Sequence, residues 1–300
     1  MDPAAPDRLN AVDRLNLAAC VVLAALVVHF RQALNGSAVW LLAILGKLVV
    51  LLLLLAFMAP RGPRWRVAHD FSAIVFVIVL FTVLGPIIDV VRPERWDLVF
   101  AQLDVRLVGQ MAAQWRSALG HPDWLTDLAY VFYFAYYVTP VVVAALAYRQ
   151  RRDEFPRFVF ALVLTFYASY AGYFVFPTVG PRVPVESESL VIGGSLVSDA
   201  ARAFIHFAER TQTDAFPSGH TAIGLVCLAL AWELSPRAGI GVAIVAAGTI
   251  FATVYLHYHY VVDVIAGVAL ANGCLWVSAW VEAAFSHPFR LRKVAPRVRM

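Results

Sequence analysis

The sequence predicts an all-α membrane protein, a polytopic bundle of about eight transmembrane helices with a surface amphipathic helix on its outer face. Two observations indicate this fold class. Hydrophobic residues make up 61% of the 300 residues and charged residues only 15%, against about 45–50% and about 25% in soluble globular chains. Several apolar runs also reach about 18 residues, which is the length that a helix needs to cross a bilayer.

Eight apolar runs are candidate spans, and they account for most of the chain. They cover residues 15–33, 38–59, 71–91, 125–148, 157–176, 217–234, 238–256 and 261–282. We divide the chain into an N-terminal half, 1–150, which holds the first four spans, and a C-terminal half, 151–300.

Basic residues orient these spans. Clusters at 61–66, 149–157 and 290–299 fall on the same side as both termini. Because basic loops stay in the cytoplasm, both termini are expected to be cytoplasmic, in a bacterial inner membrane or plasma membrane. The net charge of +4 comes from these short loops, so we expect no nucleic-acid partner.

Two segments on the opposite, outer side are too long for simple turns. Residues 92–124 place apolar side chains near helical spacing and predict a helix on the membrane surface. Residues 177–215 include a predicted helix over 199–210. Aromatic residues at the outer end of the fourth span are interpreted mainly as an interfacial belt. They are Tyr130, Phe132, Tyr133, Phe134, Tyr136 and Tyr137.

Two short motifs lie at the ends of a predicted helical hairpin. Pro217-Ser218-Gly219-His220 opens the sixth span, and His259 with Asp263 follows the seventh. One helix that crosses the membrane and one that returns bring the chain back to the side it left. His220 and His259 are therefore expected to meet at the outer face.

The first motif has the features of an anion site at a helix N-terminus. Proline suits the first turn, and the N–H groups of residues 218–220 are then free to bind a phosphate, with Gly219 allowing close approach. Ser218 adds a hydroxyl donor and His220 a titratable proton. The alternative is a capped helix start with an interfacial histidine.

The second motif pairs a histidine with a carboxylate. A spacing of four places His259 and Asp263 on one helix face. The carboxylate can bind one ring nitrogen and leave the other basic, as in a histidine nucleophile or base. The alternative is a purely structural pair.

Together the motifs resemble the second and third signatures of the type 2 phosphatidic acid phosphatase superfamily, which comprises membrane lipid phosphatases and phosphotransferases. The resemblance covers about residues 165–275, so it makes 151–300 the catalytic helical core. Gly172-Tyr173-Phe174-Val175-Phe176-Pro177 and Tyr255-Leu256-x-x-His259-Tyr260 are also similar to the inositol phosphorylceramide synthase branch.

Two parts of the family pattern are missing. The first signature, a lysine and an Arg-Pro pair, is absent, and Ala252 and Thr253 stand where the third signature has Ser-Arg. Two phosphate-binding cations are therefore lost. We expect Arg182 to replace one of them, with His257 as the second candidate.

The resemblance implies transfer from a lipid phosphoester through a phosphohistidine, with no metal or cofactor. His259 attacks the phosphorus, Asp263 holds its ring, and His220 protonates the leaving group and then activates the acceptor. The expected reaction moves a phospho-head group such as phosphoinositol onto a lipid or glycan hydroxyl at the outer leaflet. The alternative is hydrolysis of a lipid phosphate or polyprenyl diphosphate. The residues expected to bind the phosphoryl oxygens are Arg182, Ser218, Gly219 and His257.

Three other classes of function stay open at this point. A metal-dependent hydrolase would use His257, His259 and Asp263 as ligands. An intramembrane serine protease would use Ser218 as nucleophile and His259 as base. A transporter would give a role to Lys47, the charge at the middle of the second span, but would leave the His–Asp pair unexplained.

Overall fold

The structure, a computed structural model, describes residues 9–109, 111–120, 122–181, 195–208 and 212–285. In these ranges all the regular elements are helices, and the β pairing is limited to an isolated bridge between Thr178 and Asp214. The predicted all-α class is confirmed.

The helices are numbered in chain order. They are α1 (Ala11–His29), α2 (Ser37–Met58), α3 (Pro63–Asp70), α4 (Ser72–Val91), α5 (Asp97–Val108), α6 (Met111–Leu119), α7 (Asp123–Gln150), α8 (Phe155–Val175), α9 (Leu196–Ala208), α10 (Gly219–Leu234), α11 (Pro236–Tyr255) and α12 (Val261–Phe285), with a 3-10 helix, Ala59–Arg61, between α2 and α3.

Within the described ranges, 7 helical stretches are long and apolar enough to cross a membrane. The remaining predicted span, 217–234, is helix α10, which has 16 residues and is therefore about 24 Å long. The predicted bundle of about eight spans thus consists of seven long helices and one short, apolar one.

The segment predicted as one surface helix over 92–124 forms two helices instead, α5 and α6. Gly109 separates them with a φ of 62°, a positive value that glycine adopts without steric cost. The predicted helix over 199–210 is present as α9, and it begins a few residues earlier than expected.

Helix α10 lies at the centre of the bundle. It packs against α7, α8, α11 and α12, and its side chains Ile223, Val226 and Cys227 are completely buried. Helices α1, α2 and α4 form a second apolar cluster that packs on α8. Helix α7, although it belongs to the N-terminal half, packs on α10 and α11.

The predicted hairpin of α10 and α11 has a very short connection. Ser235 follows the last residue of α10 and caps α11, because its Oγ accepts the N–H of Ala238 at 3.2 Å. Helix α11 therefore runs back along α10, which brings His220 and His259 to one end of the bundle. We call this the histidine end. At the opposite end, Arg157 forms ion pairs with Glu233 and Glu282 that join α8, α10 and α12.

Candidate active site

The two predicted histidines are in direct contact at the histidine end. Nε2 of His259 lies 3.3 Å from Nδ1 of His220, although the residues are 39 positions apart in sequence. His259 is almost completely buried, with 4% of its surface exposed, whereas His220 is half-buried. The hairpin thus aligns a sheltered imidazole with a more accessible one.

Asp263 lies behind His259, on the side away from His220. Its Oδ2 is 3.4 Å from Nδ1 of His259, and the carboxylate is completely buried. This distance is longer than an ordinary hydrogen bond, as catalytic contacts often are without substrate. The carboxylate favours a proton on Nδ1, so the lone pair of His259 is at Nε2 and the proton shared by the two rings belongs to Nδ1 of His220.

Helix α10 begins against this pair. Ser218 is its N-cap, and the serine Oγ accepts hydrogen bonds from the N–H and the hydroxyl of Thr221, at 3.3 and 3.1 Å. The N–H of Ser218 donates to the carbonyl of Asp263 at 3.0 Å. The expectation that the N–H groups of residues 218–220 all face a phosphate is therefore wrong for Ser218, because α12 occupies that donor.

Gly219 is required by close packing of a tyrosine. A Cβ at this position would lie 2.7 Å from the hydroxyl oxygen of Tyr173, and Tyr173 is buried. One side of the Gly219 backbone is thus covered by a hydroxyl group. Tyr173 belongs to the segment that resembles the inositol phosphorylceramide synthase branch, and its sequence position alone predicted no role for it.

The turn between α11 and α12 carries His257 and His259. The carbonyl of Thr253 accepts the N–H groups of Tyr258 and His259, both at 3.0 Å, and fixes the start of the turn. His257 has a φ of 64° and is buried. For a residue other than glycine this left-handed conformation costs about 1–3 kcal/mol, and such strain is concentrated at functional sites.

The segment before Arg182 is held next to this turn. The carboxylate of Asp97 accepts the N–H groups of Val179 and Gly180, at 3.0 and 2.9 Å. Gly180 has a φ of 94°, and its Cα faces the carbonyl of Tyr258 so closely that a side chain would collide with it. Arg182 itself lies outside the described residues.

Comparison with known proteins identifies the family. Residues 98–277 match the PAP2 superfamily, and this range is more than half of the chain. The chain belongs to the PAP2 superfamily. A relative is the PA-phosphatase related-family protein of Dictyostelium discoideum, 28% identical over 122 residues, which are 39% of this chain and 22% of that protein. The chain thus spans well under two thirds of this relative. No solved structure matches the chain.

Membership of the PAP2 superfamily, together with the apolar helices, defines the class of the protein. It is an integral membrane protein of the PAP2 superfamily. The two motifs that suggested this family in the sequence are the ones that the fold brings into contact.

The other classes of function lose the features that suggested them. Within the described part of the PAP2 chain, no three His, Cys, Asp or Glu side chains form a metal-ligand cluster, including His257, His259 and Asp263. The ring nitrogens of His259 face His220 and Asp263, not Ser218. Lys47 is exposed on the outside of the bundle, so it does not line an internal transport pathway.

Two tyrosines that were expected in an interfacial belt pack on the ring of His220, and a third tyrosine packs behind one of them. The ring centroids of Tyr136 and Tyr133 lie 4.1 and 4.5 Å from that of His220, and Tyr258 packs on Tyr133 at 4.6 Å. The belt interpretation is wrong for Tyr130 and Tyr133, which are both 2% exposed. They are buried because this face of α7 packs against α9 and α11.

We predict that replacing Tyr136 by leucine lowers kcat by about 5–10-fold, whereas Tyr136→Phe keeps kcat within about twofold. An aromatic face near an imidazolium contributes about 0.5–2 kcal/mol, and phenylalanine retains that face. The measurement is steady-state turnover of a lipid phosphoester by the purified protein. Tyr137→Leu is the matched control, because Tyr137 is 44% exposed and its ring lies 6.4 Å from His220. Equal losses for Tyr136→Leu and Tyr137→Leu would contradict a specific role for Tyr136.

We also predict that Gly267→Ala on α12 impairs activity more than folding. The added Cβ would lie 2.7 Å from the carbonyl oxygen of Ser218 and 2.8 Å from Cβ of Thr221, so α12 has to move away from the start of α10. This shift separates His259 from His220, and kcat is expected to fall by about 10–100-fold. Gly273→Ala on the same helix is the control, since nothing lies within 4 Å of its Cβ position. Turnover and thermal melting of both variants test this, and normal kcat for Gly267→Ala would contradict the prediction.

Proposed function

We propose that the protein is a lipid phosphotransferase that acts through a phosphohistidine at His259. It takes a phospho-head group, such as phosphoinositol, from a membrane lipid and passes it to a lipid or glycan hydroxyl at the outer leaflet. The observation that carries this proposal is the contact between Nε2 of His259 and Nδ1 of His220 at 3.3 Å, with Asp263 behind His259.

The first half-reaction uses both histidines. The lone pair of His259 Nε2 forms a bond to phosphorus while the bond from phosphorus to the lipid oxygen breaks. His220 enters this step as an imidazolium, and its Nδ1 proton passes to that oxygen, so the lipid leaves as an alcohol and the His220 ring becomes neutral. The buried Asp263 carboxylate stabilises the positive charge that forms on the His259 ring.

The second half-reaction reverses these roles. The acceptor hydroxyl gives its proton to Nδ1 of His220, its oxygen attacks phosphorus, and the bond from phosphorus to Nε2 of His259 breaks. Both histidines return to their starting states. The general acid of the first step therefore serves as the general base of the second.

Substrate entry requires the two rings to separate. The phosphorus has to lie about 3–3.5 Å from Nε2 of His259 before attack, and the leaving oxygen lies one bond beyond it. Nδ1 of His220 must then be within hydrogen-bond reach of that oxygen. A gap of 3.3 Å between the two nitrogens leaves no space for these atoms, so the contact describes a resting state in which His220 covers the nucleophile.

The phosphoryl oxygens are assigned to groups around α10 and the 177–181 segment. The hydroxyl of Ser218 accepts two hydrogen bonds from Thr221, and its own proton can be donated to an oxygen of the substrate. The Gly219 amide lies at the positive end of α10. His257 and Arg182 supply the remaining charge, and the position of Gly180 against Tyr258 supports a place for Arg182 at the site.

The location at the outer leaflet is supported by the distribution of basic residues. The clusters 61–66 and 149–157 lie at helix ends opposite the histidine end. Because such clusters remain in the cytoplasm, the histidine end is assigned to the outer face and Arg157 to the cytoplasmic side.

Hydrolysis of a lipid phosphate is the second candidate, and the name of the PA-phosphatase related-family relative favours it. The two candidates differ in their products. The purified protein is incubated with labelled phosphatidylinositol and a lipid or glycan acceptor, and separately with phosphatidic acid or a polyprenyl diphosphate. Transfer predicts a new phosphodiester on the acceptor. Release of inorganic phosphate alone, without a new phosphodiester, would contradict the transferase and favour the hydrolase.

A further inference from the structure

Helix α12 begins without a short polar residue at its N-cap position. Its first residue is Val261, and the preceding residue, Tyr260, is not one of the short polar residues that cap helices. The carboxylate of Asp263 accepts the N–H of Tyr260 at 2.8 Å, which supplies one half of a capping box. The other half requires an acceptor for the N–H groups of the first turn.

That acceptor comes from a distant part of the chain. Oδ1 of Asp104, on α5, accepts the N–H of Val262 at 2.8 Å across a separation of 158 residues. The N–H of Val261 also stabilises this carboxylate, whereas burial raises the pKa of Asp104. The catalytic Asp263 is thus located on a helical turn whose free donors are satisfied by a second carboxylate from another helix.

Asp104 is one of three residues on the inner face of α5 that contact the site segments. Asp97 accepts the N–H groups of Val179 and Gly180. Phe100 stacks on Phe216, immediately before Pro217, with ring centroids 4.3 Å apart. Residues at spacings of three, four and seven share a helix face, so α5 contacts all three segments at once.

We propose that Asp104 is a positioning residue: by capping α12 it holds Asp263 and, through it, His259 in the orientation needed for attack. This inference rests on the proposed function of His259. In this proposal, α5 fixes the position of the beginning of α12 relative to the 177–181 segment and to α10. Asp104 does not touch the reacting atoms, and its effect is on the alignment of residues that do.

The proposal is tested with Asp104→Ala and Asp104→Asn in the full-length purified protein, by steady-state kinetics on a lipid phosphoester. Asp104→Ala is expected to lower kcat about tenfold while KM stays within about twofold, since small misplacements of reacting groups reduce turnover more than binding. Asp104→Asn keeps an acceptor oxygen and should restore most of kcat. Gln102→Ala, an exposed position on the same helix, is the matched control and should behave like the wild type.

Several results would overturn the proposal. Unchanged kcat in Asp104→Ala, or a loss that Asn does not restore, would do so. If Asp104→Ala does not fold, Asp104→Glu decides: it keeps the charge but displaces the carboxylate, so reduced kcat with normal KM supports positioning and wild-type kcat rejects it. His259→Ala is measured in parallel. If His259→Ala is inactive and Asp104→Ala has normal kcat, the positioning role of Asp104 is rejected and the proposed function stands. If His259→Ala is active, the proposed function itself is rejected.

Discussion

Replacing His259 by alanine is expected to abolish turnover, with kcat falling by about 10⁴-fold or more. Removal of a covalent nucleophile has effects of this size because no neighbouring group replaces it. In this site the nearest ring nitrogen is Nδ1 of His220, which carries a proton in the resting state and is therefore no nucleophile. The assay is turnover of a labelled lipid phosphoester, together with trapping of the labelled protein under alkaline quench, which preserves phosphohistidine.

Two further variants make this prediction specific. His29→Ala removes an exposed histidine at the end of α1 and should leave both turnover and labelling unchanged. Asp263→Asn retains the nucleophile but loses the charge behind it, so we expect label to accumulate about 10²-fold more slowly and to reach His259 all the same. Label found on a residue other than His259, or persistent turnover by His259→Ala, would contradict the proposed intermediate.

The meeting of His220 and His259 could be predicted from sequence because it depends on local rules. Two apolar runs of helical length, a polar turn around Ser235 and a motif at each outer end are enough to place both histidines at one end of a hairpin. The spacing of four between His259 and Asp263 is equally local. These features survive in the structure because α10 and α11 pack against each other.

The residues that sequence reasoning missed are those supplied by distant segments. An aromatic cluster such as that of Tyr133 and Tyr136 has the same pattern whether it faces lipid or a buried histidine, and the packing of α9 and α11 on α7 decides between them. In the sequence, Asp97 and Asp104 have the spacing of ordinary polar positions on an amphipathic helix. Nothing in this spacing shows that Asp97 accepts N–H groups from the 177–181 segment or that Asp104 accepts one from α12. The break between α5 and α6 did carry a signal, Gly109, because glycine adopts the positive φ that is found there.

Replacing His220 by alanine is expected to lower kcat by about 10²–10⁴-fold for alkyl phosphoesters, the usual contribution of a general acid. The loss should depend on the leaving group. An aryl phosphate such as p-nitrophenyl phosphate releases a stable phenolate that needs no proton, so His220→Ala should retain most of its cleavage of this compound to the phosphohistidine. The measurement is the ratio of alkyl to aryl ester cleavage in the wild type and in the variant, during a single turnover.

The resting contact between the rings gives this variant a second expected property. In the wild type Nδ1 of His220 lies 3.3 Å from Nε2 of His259, and this contact has to break before phosphorus can approach. Without the His220 ring the nucleophile is uncovered, so KM for the aryl phosphate is expected to fall or stay constant. The kcat for alkyl esters is expected to fall in the same variant. Transfer to an acceptor hydroxyl should remain slow for both substrates, because the second half-reaction needs His220 as base. An equal loss of alkyl and aryl ester cleavage would contradict the acid role and indicate that His220 acts only by holding His259 in place.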